Sequence, residues 1–172
     1  MSDITDLTQP GNKALTAAQR KTFETVHCLL LPLNKEILLL PNAAVAEIIP
    51  YTKPESVNEA PEWLLGRLSW RERRLPLISF ESASGGEIGK ILPSCRIAVL
   101  NTLNGNGQLP YIALLTQGLP SLQIVRPNAI QYADKSATQR QSIKAHVNMG
   151  GTAAIIPDID DLETRLLRLQ QS

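Results

Sequence analysis

Residues 61–80 read PEWLLGRLSWRERRLPLISF, and the way this stretch divides decides the fold. An apolar strand over Leu64–Trp70, a charged turn over Arg71–Arg74 and a second strand over Leu75–Phe80 make a β-hairpin. The turn stays hydrated while Leu, Ile, Trp and Phe go to a core. Pro76 has no amide proton to donate, so its strand is expected at a sheet edge, or with that position turned away from a neighbour.

Upstream, HCLLLPLNKEILLLPNAAVAEIIP holds two apolar runs separated by Leu33-Asn34-Lys35-Glu36, which read as the strands of another hairpin. Pro32 and Pro41 argue against one long helix. A short helical turn capped by Asn42 is expected next, then a strand at Glu47–Pro50 and a Pro-rich loop over Lys53–Pro61. Residues 1–24 are expected to be a flexible tail, with a short helix over Ala17–Phe23 capped by Thr16 and Gln19.

Downstream, the Ser- and Gly-rich run Glu81–Pro93 reads as a mobile connection. It is not a phosphate-binding loop, because Ser84 stands where the first glycine is required and Ile91 follows Gly89-Lys90. Arg96–Leu103 and Leu109–Thr116 flank Asn104-Gly105-Asn106-Gly107, a strong hairpin signal. Leu119–Arg126 is a further strand candidate, while Asn128–Lys144 is polar and reads as a long excursion between strands. His146–Met149 and Thr152–Pro157 form a hairpin around Gly150-Gly151. Asp160–Gln171 reads as a helix, with Asp160 and Glu163 at its N-terminal cap and Ile159, Leu162, Leu166 and Leu169 on one face. About eight to ten short strands and a terminal helix argue for a mainly β barrel or sandwich, with residues 25–172 forming one domain.

A formal net charge of +1 over 172 residues gives no general drive toward nucleic acid or anionic lipid. Cys28 and Cys95 lie in separate apolar runs and read as buried reduced thiols. The N-terminus lacks the features of a signal peptide and no run approaches a membrane span, so a cytoplasmic protein without membrane insertion is expected. His27 and His146 lack partners at catalytic spacing and read as structural. The acidic cluster Asp158, Asp160, Asp161 and Glu163 does not match a calcium loop and suits a helix N-terminus. No catalytic residue, cofactor or metal site is therefore expected. The remaining concentration of special residues is Arg67, Arg71, Arg73 and Arg74 interleaved with Trp63 and Trp70. Such a surface suits a protein partner; the alternative is a small β-barrel contacting nucleic acid by stacking and phosphate contacts.

The same residues carry a resemblance. The pattern LLGxxxWRxxxLPLISF resembles the signature hairpin of the CheW-like family, the coupling domain of bacterial chemosensory systems. Val45-Ala46-Glu47-Ile48-Ile49 resembles the family's V-x-E-I element. RIAVLN and YIALLT look like its third hairpin, and TAAIIPDIDDL like its closing strand and helix start. The resemblance implies two intertwined five-stranded SH3-like barrels around a common core, no enzymatic activity and no cofactor. It implies two partners, the regulatory domain of a CheA-type histidine kinase and the cytoplasmic tips of chemoreceptors. The partner-binding residues it points to are Val45, Glu47, Ile48, Leu65, Gly66, Arg67, Trp70 and Arg71, with Glu47 and Arg71 shaping the contact region or holding it by an ion pair. Within the family the wording looks most like accessory adaptors of type IV pilus twitching systems. Ser69, Glu72 and Ser79 stand where the family usually has Asn, Gly and Asp.

Overall fold

A computed structural model of the chain describes residues 25–133 and 140–171; the tail and helix expected over residues 1–24 lie outside them. Its strands are β1 (Val26–Pro32), β2 (Ile37–Pro41), β3 (Val45–Pro50), β4 (Leu64–Trp70), β5 (Arg73–Ile78), β6 (Arg96–Asn101), β7 (Tyr111–Thr116), β8 (Ser121–Val125), β9 (Ile130–Tyr132), β10 (Ile143–Met149) and β11 (Thr152–Pro157). Two helices join them, α1 (Phe80–Ala83) and α2 (Ile159–Gln170). The strands form one sheet ordered β8-β1-β2-β11-β10-β9 and another ordered β3-β6-β7-β5-β4. The chain leaves the first sheet after β2, builds the whole second sheet, and returns at β8, so the two units are intertwined. The parallel contacts are β2 with β11 and β5 with β7; every other strand pair is antiparallel.

Period-two alternation along unbroken apolar runs divides the interior into three layers. In β2, Leu38 and Leu40 face a core shared by the two sheets, while Leu39 faces the interior of the first unit with Cys28, Val125, Val147 and Ala154. In β6 and β7, Ala98, Leu100, Ile112 and Leu114 enter the shared core, whereas Ile97, Val99, Ala113 and Leu115 fill the second unit. A strand buried on both faces has no polar positions to alternate with, which is why these runs read as continuous hydrophobics. Phe80 on α1 and Ile159, Leu162 and Leu166 on α2 complete the shared core.

Several boundaries differ from expectation for identifiable reasons. The central turn is Arg71-Glu72 alone, since Arg73 pairs with Trp70. Both residues have positive φ, 45° and 61°, the backbone of the primed two-residue turn that matches strand twist. The second strand stops at Ile78 because Ser79 caps α1, its Oγ accepting from the Ser82 N–H at 3.3 Å. β5 is not an edge strand. Pro76 is tolerated there because Arg67 opposite it spends its backbone N–H and C=O on Glu55, at 2.8 and 2.9 Å, making Arg67 and Pro76 a pair without mutual hydrogen bonds. On the other side, pairing with β7 starts only at Leu77.

Asn42 makes no side-chain cap; a 3₁₀ turn follows Pro41, and β3 begins two residues early, at Val45. The run from Glu81 is not simply a mobile connection, because α1 buries Glu81, Ala83 and Ser84. The β6–β7 hairpin closes through a longer loop, with Thr102 donating to the Pro110 carbonyl at 3.1 Å. The 128–144 region contains β9, which pairs with β10, so it is not all excursion. The α2 cap is Asp158, not Asp160: its Oδ1 accepts from the Asp161 N–H at 3.0 Å. Leu169 leaves the core face and is 39% exposed, while Glu163 is buried, its carboxylate accepting from Asn104 Nδ2 at 3.0 Å.

Candidate functional site

β3 and β4 bound the second sheet on opposite sides, yet their side chains meet. Trp70 Nε1 donates to Glu47 Oε2 at 2.8 Å, and Arg71 Nη2 lies 3.0 Å from the same oxygen. The sheet has curled until its first and last strands touch, which is barrel closure by side chains. Trp70 is buried and belongs to the second-unit core; its ring meets Tyr111 edge-on at 4.9 Å. The Arg71 guanidinium sits 4.7 Å above the Trp70 ring, and Arg73 lies 6.0 Å from the Tyr111 ring. The result is a carboxylate held by two donors beside a ladder of cations and aromatic faces.

The remaining candidate residues divide around this clasp. A register shift between Val45 and Glu47 turns Val45 and Ile48 together toward the shared core, both half-buried. Leu65 packs at the margin of the second core. Gly66 is buried at φ 145°, and a Cβ there would lie 2.3 Å from the Glu55 carbonyl oxygen. Arg67 is exposed and points to a different feature, a cleft of about 390 Å³ lined by Val57, Pro61, Leu64, Leu166 and Leu169. Glu47, Trp70 and Arg71 are thus in direct contact, whereas Gly66 and Arg67 belong to the seam with the 53–61 loop.

Trp63 and Trp70 do not form one surface. Trp63 packs against the shared core beneath Arg165, whose guanidinium is 4.6 Å from its ring; Trp70 is in the other core. Arg71 and Arg74 are paired with Glu47 and Glu55. Trp63 and the Trp70 ladder therefore do not make the single basic and aromatic surface on which the nucleic-acid alternative was read. Glu55 and Tyr111 contribute to the site without any local sequence signal; their positions follow only from the sheet order.

Cys28 and Cys95 are free and buried in different cores, and burial pushes the Cys28 thiol up. Among the described residues no cluster of His, Cys, Asp and Glu is placed to hold a metal ion, and no helix is long and apolar enough to cross a membrane. The acidic residues at the start of α2 have structural partners: Asp158 caps the helix, and Asp161 ties it to the chain before β10 by accepting from Ser142 Oγ at 2.6 Å.

Residues 27–166 match the family model described as CheW-like domain. The chain belongs to the CheW-like domain family. A solved structure titled as the scaffolding protein TtCheW from Thermoanaerobacter tengcongensis shares the fold, with a TM-score of 0.66 at 16% identity over 78% of this chain and 89% of that one. No curated protein matches significantly. This CheW-like domain carries the family's glutamate element and central hairpin on touching strands, joined by the Glu47–Trp70–Arg71 clasp.

Proposed function

We propose that this CheW-like protein is a non-catalytic chemosensory adaptor, linking the cytoplasmic tips of chemoreceptors to the regulatory domain of a CheA-type histidine kinase. Within the family we place it with ChpC-type accessory adaptors controlling type IV pilus twitching motility, on the wording of residues 26–81. It would work in the cytoplasm, at membrane-attached receptor arrays.

The observation that carries the reading is the clasp. Two donors hold the Glu47 carboxylate before any partner arrives, so little side-chain freedom is lost on docking. Val45, Ile48 and Leu65 supply half-buried apolar contact beside it, and exposed Arg71 supplies a charge that sets register more than net affinity. Arg67 and Gly66 shape the adjoining seam.

The test is binding of the purified protein to a CheA-type regulatory domain, with and without a receptor tip, comparing wild type, Arg71→Ala and Glu47→Lys. Saturable binding weakened by either substitution in a folded sample is the expected result. A folded wild type that binds neither component would mean that the fold is kept and the coupling role is not.

A further inference from the structure

Four strands bound the two sheets, and three of them are blunted as natural edges usually are. β3 carries Glu47 and ends at Pro50. β4 is bridged through Arg67 to the backbone of Glu55, and β9 is three residues long. β8 is flanked by Pro120 and by Arg126-Pro127, but its own five residues hold neither a charge nor a proline. From Gly118 to Val125 the chain reads GLPSLQIV without a charge. Leu122 and Ile124 are 59% and 58% exposed, with Leu119 at 68% just before them. β8 pairs with β1 on one side, and among the described residues no strand pairs with its other side.

The register with β1 fixes the faces. Leu122 lies opposite Leu29 and Ile124 opposite His27, so both share the sheet face that carries Leu31 into the shared core. Gln123 lies opposite Cys28, on the face of the first-unit interior.

We propose that β8 is a homotypic interface, where a second copy of this chain adds its own β8 antiparallel about a two-fold axis at Gln123. The occupant follows from the strand itself. Self-pairing centred on Gln123 sets Leu122 of each copy against Ile124 of the other, gathering four branched apolar side chains on one face with no like charges opposed. Within β8 itself a charged partner strand would find no counter-charge, since Arg126 lies beyond its last residue. The formal charge of +1 leaves little long-range repulsion between copies. A five-residue strand buries less than a standard interface, so the dimer is concentration-dependent. This inference does not rest on the coupling role and is read from oligomeric state alone.

Sedimentation velocity of the full chain over a rising concentration series tests it. Wild type is expected to move from 18.8 kDa toward twice that mass, while Ile124→Lys and Leu122→Glu each stay at one chain with unchanged Tm. Mixing those two variants restores the dimer, because the register opposes residues 122 and 124. Ile124→Thr keeps β-branching, serves if the charged variants fail to fold, and weakens the dimer about tenfold, two cross-strand pairs being affected at once. A wild type that stays monomeric overturns the proposal. So does a dimer indifferent to Ile124→Thr and Ile124→Lys, which places the contact elsewhere. A monomer that captures the kinase regulatory domain through Ile124 overturns it too, and assigns the edge to another partner.

Discussion

At Glu47 two interactions of different weight meet on one carboxylate. The ion pair with Arg71 joins side chains 67% and 38% exposed, and such pairs contribute about 0–1 kcal/mol. The bond from Trp70 satisfies an indole N–H in a core, and leaving that group unpaired costs about 1–3 kcal/mol. Glu47→Ala is therefore expected to lower stability in urea unfolding by about 1–3 kcal/mol, and Arg71→Ala by less than about 1 kcal/mol. Equal losses would show that the indole bond carries no extra weight. Gly66 is a second residue whose role is steric, since its φ of 145° and the Glu55 carbonyl oxygen at 2.3 Å leave no room for a Cβ. Gly66→Ala is expected to cost about 2 kcal/mol or more in the same assay, with the Glu55 bridge to β4 lost. Wild-type stability in that variant would contradict the steric reading. The other family departures are conformationally readable: Ser79 caps α1 as an aspartate would, whereas Glu72 holds a positive φ that a glycine would adopt more easily.

Among the elements, α1 shows how a Ser- and Gly-rich run becomes ordered. Glu81 is buried, and its Oε1 accepts from the Asn34 N–H in the β1–β2 turn at 2.6 Å. Arg140 ties the same region together, pairing with Glu36 and donating to Ser84 Oγ at 2.7 Å. Burial pushes the Glu81 carboxyl up and neighbouring Glu36 adds to this; the Asn34 and Lys35 N–H groups and Arg140 oppose it. A carboxyl with a raised folded-state pKa binds its proton more tightly in the folded chain. Its contribution is complete below the ordinary carboxylate range and is lost as pH rises through the raised value. Stability is expected to fall over that window in wild type and to change less in Glu81→Gln, as followed by thermal melts across pH. Identical profiles for the two proteins would remove Glu81 as the cause.

For the whole molecule, the shared core makes the two intertwined units interdependent. Trp63 borders that core and Trp70 lies inside the second unit, so each tryptophan reports a different layer. With Trp70→Phe and Trp63→Phe isolating each fluorophore, each emission transition is expected to coincide with the far-UV transition of the same variant, because neither unit keeps its core without the other. An emission transition displaced from its far-UV partner would show that the units unfold separately.

Spacing and turn chemistry along the chain were enough to specify the β class, four hairpins and the terminal helix, because alternation and turn residues act within a few positions. The family element at Val45–Ile49 and the central hairpin were legible for the same reason. Which strands lie side by side was not, since the parallel contacts of β2 with β11 and β5 with β7 join residues far apart in the chain. That pairing put Pro76 in an interior strand, separated Trp63 from Trp70, and brought Glu47 to Trp70 and Arg71. Long-range packing selects among local possibilities that the chain leaves open: the family resemblance pointed to an ion pair between Glu47 and Arg71, but the curling of the second sheet added the Trp70 bond that completes the clasp.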